Sequence, residues 1–191
     1  MNFLSGLDMS VLYSLYVERS LTAITWWIRV SELGSSVVVA GLTVCIALIF
    51  AAKRRFPYAA GILVSVFGSG AVALALKELV HRARPDALYQ AYLESGYAFP
   101  SGHATLAMAL YGYCIFLVWR LVPSRALRFA ITVVLSLIIA AVSCSRVYLG
   151  VHYMSDVVGG LIVGTLFVYF GMWVTRRIER RSTFSVQDRL E

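Results

Sequence analysis

Charge is scarce in this chain: Asp, Glu, Lys and Arg make up only 14% of its 191 residues, against 60% hydrophobic residues and a mean hydropathy of +0.77. A soluble domain of this length needs polar side chains to cover its surface, so the shortage excludes an ordinary water-soluble fold. Cysteine is almost missing as well. Cys45, Cys114 and Cys144 lie in or beside apolar stretches without CxxC spacing, which points to plain packing and away from a disulfide framework or a cysteine metal site. Internal repeats and low-complexity tracts are also lacking.

In place of these features the chain has long uncharged runs. Ser36–Ala52, Tyr58–Leu76, Ala104–Leu121, Leu127–Ser143 and Val157–Thr175 each have the length, roughly 17 to 20 residues, that crosses about 30 Å of hydrocarbon as a helix. Residues 9–30 contain no such run. There Val17, Leu21, Ile24 and Ile28 share one helical face, and Ser14, Glu18, Thr22, Thr25 and Arg29 share another, which predicts an amphipathic helix lying in the membrane interface. Trp26 and Trp27 suit the headgroup boundary, while Glu18 and Arg19 argue against a cleavable signal peptide and against a sixth span, which stays as the alternative. The expected fold is all-α: a polytopic transmembrane bundle of five spanning helices plus an interfacial helix. Its expected parts are an N-terminal segment 1–35, a membrane domain 36–177 and a tail 178–191, polar and loose from residue 182 on.

A formal net charge of +7 would suit a nucleic-acid partner if the basic residues were gathered on a soluble face. They instead sit between apolar runs, so no nucleic-acid partner is expected. Lys53, Arg54, Arg55, Arg120, Arg125, Arg128, Arg176, Arg177, Arg180, Arg181 and Arg189 fall on one side of the expected topology, 11 of the 17 Lys and Arg residues. The excess of positive charge in cytoplasmic connections places that side, with the carboxyl terminus, in the cytoplasm.

The opposite side collects all three histidines and a distinctive set of ionisable groups. Lys77, His81, Arg82, Arg84 and Pro85 follow the second span, Pro100-Ser101-Gly102-His103 precede the third, and Ser145-Arg146 with His152 and Asp156 precede the fifth. Ionisable side chains beside apolar spans are costly unless they face a polar site, and this group is suited to an anion. Lys77, Arg84 and Arg146 supply charge for the equatorial oxygens of a phosphoryl group. Ser101, read as an N-cap, and the Gly102 amide add donors at a helix start. If His152–Asp156 is helical, the carboxylate four residues on faces the ring, holds one nitrogen protonated and leaves the other free to attack phosphorus. His103, on another element, can protonate the leaving oxygen and then activate water. Asp86, Glu94 and Tyr97 read as a solvated loop between the motifs, with shaping of the site entrance as the alternative, and Gly160 with Gly164 as a close helix contact.

The three segments have the spacing K-x6-R-P, P-S-G-H and S-R-x5-H-x3-D, and in this the chain resembles the type 2 phosphatidic acid phosphatases, or lipid phosphate phosphatases, from about Ser36 to Arg177. The resemblance implies phosphate binding by Lys77, Arg84, Ser101, Gly102 and Arg146. It assigns His103 as acid and His152 as nucleophile oriented by Asp156, without a metal or other cofactor. A small bacterial member would reside in the inner membrane with its site on the periplasmic or extracellular side. Undecaprenyl diphosphate or phosphatidylglycerophosphate is the favoured substrate, with phosphatidic acid or a lipid A phosphate also open. Transfer of the phosphoryl group to another acceptor, and non-catalytic transport of an anion or lipid, are the alternatives. The oligomeric state is not legible.

Overall fold

The computed structural model describes residues 3–187, and among these every regular element is helical. The order is α1 (Phe3–Val17), α2 (Leu21–Glu32), α3 (Ser36–Ala52), α4 (Phe56–Val80), a 3-10 turn (Ala87–Tyr89), α5 (Gly102–Leu121), α6 (Arg125–Tyr148) and α7 (Met154–Gln187). Short-range chemistry sets the boundaries. Ser35 and Ser124 cap α3 and α6 by accepting from the amides of Val38 and Leu127. Pro57 sits at the start of α4, where a missing N–H costs nothing, and His81 ends that helix in the left-handed region at φ 51°.

Five stretches are long and apolar enough to cross a membrane: Leu21–Ala52, Phe56–Val80, Gly102–Leu121, Arg125–Tyr148 and Met154–Arg181. They match the five expected spans in number and order. Central α5 packs against α3, α4, α6 and α7, and Ala107, Leu110 and Tyr113 are buried there. Polar ties replace some of the hydrophobic drive that lipid does not provide. Ser65 of α4 donates to the Ala109 carbonyl of α5 at 2.9 Å, and Tyr113 of α5 shares a 2.7 Å hydrogen bond with Thr175 of α7. On α7, a Cβ at Gly160 would stand 2.6 Å from the Ser101 carbonyl oxygen, and one at Gly164 would stand 2.7 Å from that of Thr105. The Gly160–Gly164 pair therefore lets α5 and α7 meet backbone to backbone. By contrast α6 turns large apolar side chains such as Phe129, Val134 and Leu137 outward.

Two expectations change. Residues 9–30 do not form one amphipathic helix: the chain breaks at Glu18–Ser20, where Ser20 caps α2. With 15 and 12 residues, α1 and α2 reach only about 22 and 18 Å, so neither crosses the hydrocarbon alone. The second change concerns the tail: α7 continues past residue 178 to Gln187, because the basic run Arg176–Arg181 has good helix formers and no Gly or Pro to stop it. Residues 188–191 of the expected tail lie outside the described residues.

The alternating helices sort the charges to two ends. Arg120 pairs with Glu179, and Thr175 donates to the Pro57 carbonyl, so the α3–α4 and α5–α6 turns share one end with the end of α7. At the other end the α4–α5 loop, the α6–α7 turn, the close of α2 and the helix α1 converge.

Candidate active site

Backbone hydrogen bonds join the three motif segments. Ala98 N donates to Arg82 O at 2.8 Å and ties the loop before Pro100 to the first motif, and Ser101 N donates to Asp156 O at 3.0 Å and ties the second motif to the third. Ala91 N also donates to Leu149 O at 2.9 Å. Gly150 allows that approach: it adopts φ +72°, and a Cβ there would lie 1.9 Å from the Tyr89 carbonyl oxygen.

Just beyond that turn stand His152 and Asp156, 1% and 0% exposed. Helix α7 starts only at Met154, so His152 precedes the helix and does not share its first turn. The pair still faces, with His152 Nδ1 3.7 Å from Asp156 Oδ2. Asp156 Oδ2 also accepts from Tyr153 N at 2.9 Å, the reach-back of a carboxylate in a first helical turn. Its other oxygen accepts from Arg82 at 2.5 Å. Burial pushes the His152 imidazole down to about 4, with Arg146 and Arg84 acting in the same direction and Asp156 opposing them. The ring is therefore neutral at physiological pH.

One guanidinium contacts this ring, and a second acts on it through its charge. Arg84 Nη1 lies 3.2 Å from His152 Nε2 and donates to the Val151 carbonyl at 2.8 Å, while its Nε donates to the Gly96 carbonyl at 3.0 Å. Arg146 is fully buried, donating to Ser31 Oγ and to the Tyr92 hydroxyl at 2.7 Å each. Glu94 bridges the two arginines, accepting from Arg84 Nη2 at 3.2 Å and forming a close pair with Arg146. Glu94 is thus not part of a solvated loop. Burial raises its carboxyl, but Arg146 and Arg84 hold it below the usual range. Asp86, by contrast, is exposed and caps the 3-10 turn through Leu88 N at 2.9 Å.

Ser101 occupies the N-cap position of α5, but its hydroxyl makes no capping bond. Instead Ser101 Oγ is buried and, like Arg146 Nε and His152 Nδ1, has no hydrogen-bond partner among the described residues. Lys77, in the last turn of α4, donates to the Tyr97 carbonyl. Lys77, Gly102 and His103 form the polar end of a cavity of about 490 Å³ whose remaining lining, including Val39, Val66 and Leu106, is almost wholly apolar and comes from α3, α4 and α5. His103 also lies within electrostatic reach of His152, Arg146, Arg84 and Glu94.

All eight residues singled out from sequence spacing therefore gather at one end. Spacing missed others. Arg82, a position that K-x6-R-P leaves unspecified, is held between Asp156 and Asp8 of α1 and lies over the Tyr153 ring at 4.6 Å. Ser31 and Tyr92 hold Arg146. The sequence carried one hint of Asp8, an isolated acid in an otherwise uncharged helix.

The family described as the PAP2 superfamily matches residues 58–180, a stretch that includes all eight residues and leaves out α1 to α3. Phosphatidylglycerophosphatase B of Bacillus subtilis is 32% identical over 121 residues, 62% of this chain and 59% of that protein. Decaprenylphosphoryl-5-phosphoribose phosphatase of Mycobacterium tuberculosis is 35% identical over 115 residues, 59% of this chain and 57% of that protein. The alignments thus span less than two thirds of these curated relatives. The crystal structure of a transmembrane PAP2-type phosphatidylglycerolphosphate phosphatase from Bacillus subtilis superposes with a TM-score of 0.84 at 25% identity, covering 93% of this chain and 89% of that one.

Proposed function

The chain belongs to the PAP2 superfamily, and from that premise we propose that it is a multi-pass membrane phosphatase that hydrolyses a phosphomonoester or diphosphate of a lipid. The observation that carries this reading is the junction of two unlike spaces. The buried His152–Asp156 pair, with Arg84 against the ring, is tied by the Ser101 N to Asp156 O hydrogen bond to the start of α5, where Gly102 and His103, with Lys77, form the polar end of an apolar cavity. A lipid phosphate has matching halves, an anionic head and an apolar tail.

In this reaction Arg84, Arg146, Lys77, the Ser101 hydroxyl and the Gly102 amide hold the phosphoryl oxygens, and Ser101 Oγ and Arg146 Nε have unmet capacity to donate. With Asp156 facing Nδ1, the Nε2 lone pair of His152 attacks phosphorus. A P–N bond forms as the P–O bond to the lipid breaks, and His103 gives a proton to the departing oxygen. His103 then takes a proton from water, whose oxygen displaces His152 and releases inorganic phosphate. Glu94, which bridges the two arginines, must yield them to the incoming head.

Undecaprenyl diphosphate and phosphatidylglycerophosphate are the favoured substrates, since the cavity is apolar and the similar proteins act on a glycerophospholipid phosphate and on a polyprenyl-linked phosphate. The site opens at the non-cytoplasmic face of the inner membrane, because the basic clusters crowd the opposite end. The deciding experiment is phosphate release from a panel of these two lipids, phosphatidic acid and lipid A phosphate. Wild type and His152→Ala are run side by side, with and without a chelator. Wild type should release phosphate from at least one lipid regardless of chelation, and His152→Ala from none; equal rates for the two proteins would exclude His152 as nucleophile.

A further inference from the structure

Asp8 lies outside the region matched by the family, on a helix that precedes every span, yet it is 4% exposed and its carboxylate is fully engaged at the site. Its Oδ1 accepts from Ser155 N at 3.0 Å, and its Oδ2 accepts from Ser155 Oγ at 2.5 Å and from Arg82 Nη2 at 2.7 Å. The Ser155 amide is one of the free donors at the start of α7, so Asp8 caps that helix from outside, where the helix dipole favours an anion. The other nitrogen of Arg82 donates to Asp156 Oδ1 at 2.5 Å and to Ser155 Oγ at 2.7 Å. The chain of contacts is therefore Asp8, Arg82, Asp156, His152.

We propose that Asp8 is a positioning residue for the nucleophile, acting through Arg82 and Ser155 to set the orientation of Asp156 towards His152. The inference rests on the reading of His152 as the attacking group. Asp156 must serve two cations at once, the guanidinium of Arg82 and the imidazolium-like ring that develops as His152 attacks. Were Arg82 bound by Asp156 alone, its full charge would draw that carboxylate away from the ring and weaken its hold. Asp8 takes a share of Arg82, fixes the plane of the guanidinium from its far side and pins the backbone of Ser155, the residue before Asp156. Geometry of this kind is valuable because misplacement of a catalytic group by about 1 Å can cost about 100-fold in rate. The N-terminal segment, for which composition suggests only membrane contact, thereby completes the support of the active site.

The test uses the full-length protein in detergent and whichever of dioctanoyl phosphatidic acid, dioctanoyl phosphatidylglycerophosphate and farnesyl diphosphate the wild type hydrolyses fastest. Asp8→Asn should lower kcat by about 10- to 100-fold with KM changed by no more than about twofold, and Asp8→Glu should recover much of the loss. Because Asp8 acts through Arg82, the double variant Asp8→Asn/Arg82→Gln should stay within about threefold of Arg82→Gln alone. Wild-type kcat in Asp8→Asn, a double variant whose loss is the product of the two single losses, or loss of the folded thermal transition in Asp8→Asn would each overturn the proposal. Hydrolysis of none of the three lipids by wild type, or undiminished hydrolysis by His152→Ala, would instead bring down the underlying reading, and the inference with it.

Discussion

Cations crowd both ends of this helix bundle, but they are held in opposite ways. At the carboxyl-terminal end Arg176, Arg177, Arg180 and Arg181 are exposed, and Arg120 meets Glu179 with 43% of its side chain accessible. At the other end Arg146 has no exposed surface and Arg84 is nearly covered, and each donates to several named oxygens. Water can satisfy a charge in any orientation, so an exposed arginine fixes no geometry. A buried one must be met by fixed partners or the fold is penalised, and the same partners set its position. The amino-acid types are alike at the two ends, and burial accounts for the difference in what they can do.

The sharpest way to break that contrast is Arg146→Lys, which keeps the charge but removes the planar fork and the free Nε. It should cost about 100- to 1,000-fold in kcat/KM, whereas Arg177→Lys should leave turnover unchanged; initial rates on one lipid phosphate decide it. Acid comes next. Because His152 refuses a proton until about pH 4 in the folded chain, its neutral form should persist well below 6.5, and its protonation should cut kcat/KM only towards pH 4, about tenfold per unit beyond that point. The unfolded chain takes that proton near pH 6.5, so the burial of His152 also makes stability fall as pH drops from about 6.5 to about 4. A thermal midpoint lower at pH 5 than at pH 7.5 is the expected sign.

A smaller effect separates Glu94 from the arginines it bridges. Glu94→Gln removes the anion competing with phosphate, so inhibition by inorganic phosphate should strengthen by a few-fold to about tenfold; unchanged inhibition would mean that Glu94 and phosphate do not share the arginines. Smallest of all is Arg120→Ala at the far end. Loss of that exposed pair should change stability by under about 1 kcal/mol and leave kcat unaltered, as thermal unfolding and a phosphate-release assay would show.

The five spans were legible because an uncharged run of spanning length has few alternatives, and the eight candidate residues could be singled out because fixed spacing survives in a linear string. Other features lacked such a signature. The break at Glu18–Ser20 is invisible to periodicity, since a helical face can be drawn through Val17, Leu21, Ile24 and Ile28 whether or not the chain is continuous. Asp8 and Arg82 meet across 74 residues with no intervening pattern to pair them. Glu94 sits in an irregular loop, where polarity reads as solvation until the two guanidiniums arrive. The place of Ser101 before α5 suggests a capping hydroxyl as well as a donor to phosphate, but where α7 packs against that turn the hydroxyl is buried and makes no capping bond.

That packing has a consequence for how the chemistry is kept in register. Ser101 and Gly102 begin one helix and Asp156 begins another, and Gly160 sits one turn beyond Asp156, against the Ser101 carbonyl. The absence of one methyl group at Gly160 thus works as a spacer gauge between the two halves of the candidate site, the one at the start of α5 and the one at the start of α7. A side chain of any size there would wedge the halves apart without touching a reacting atom.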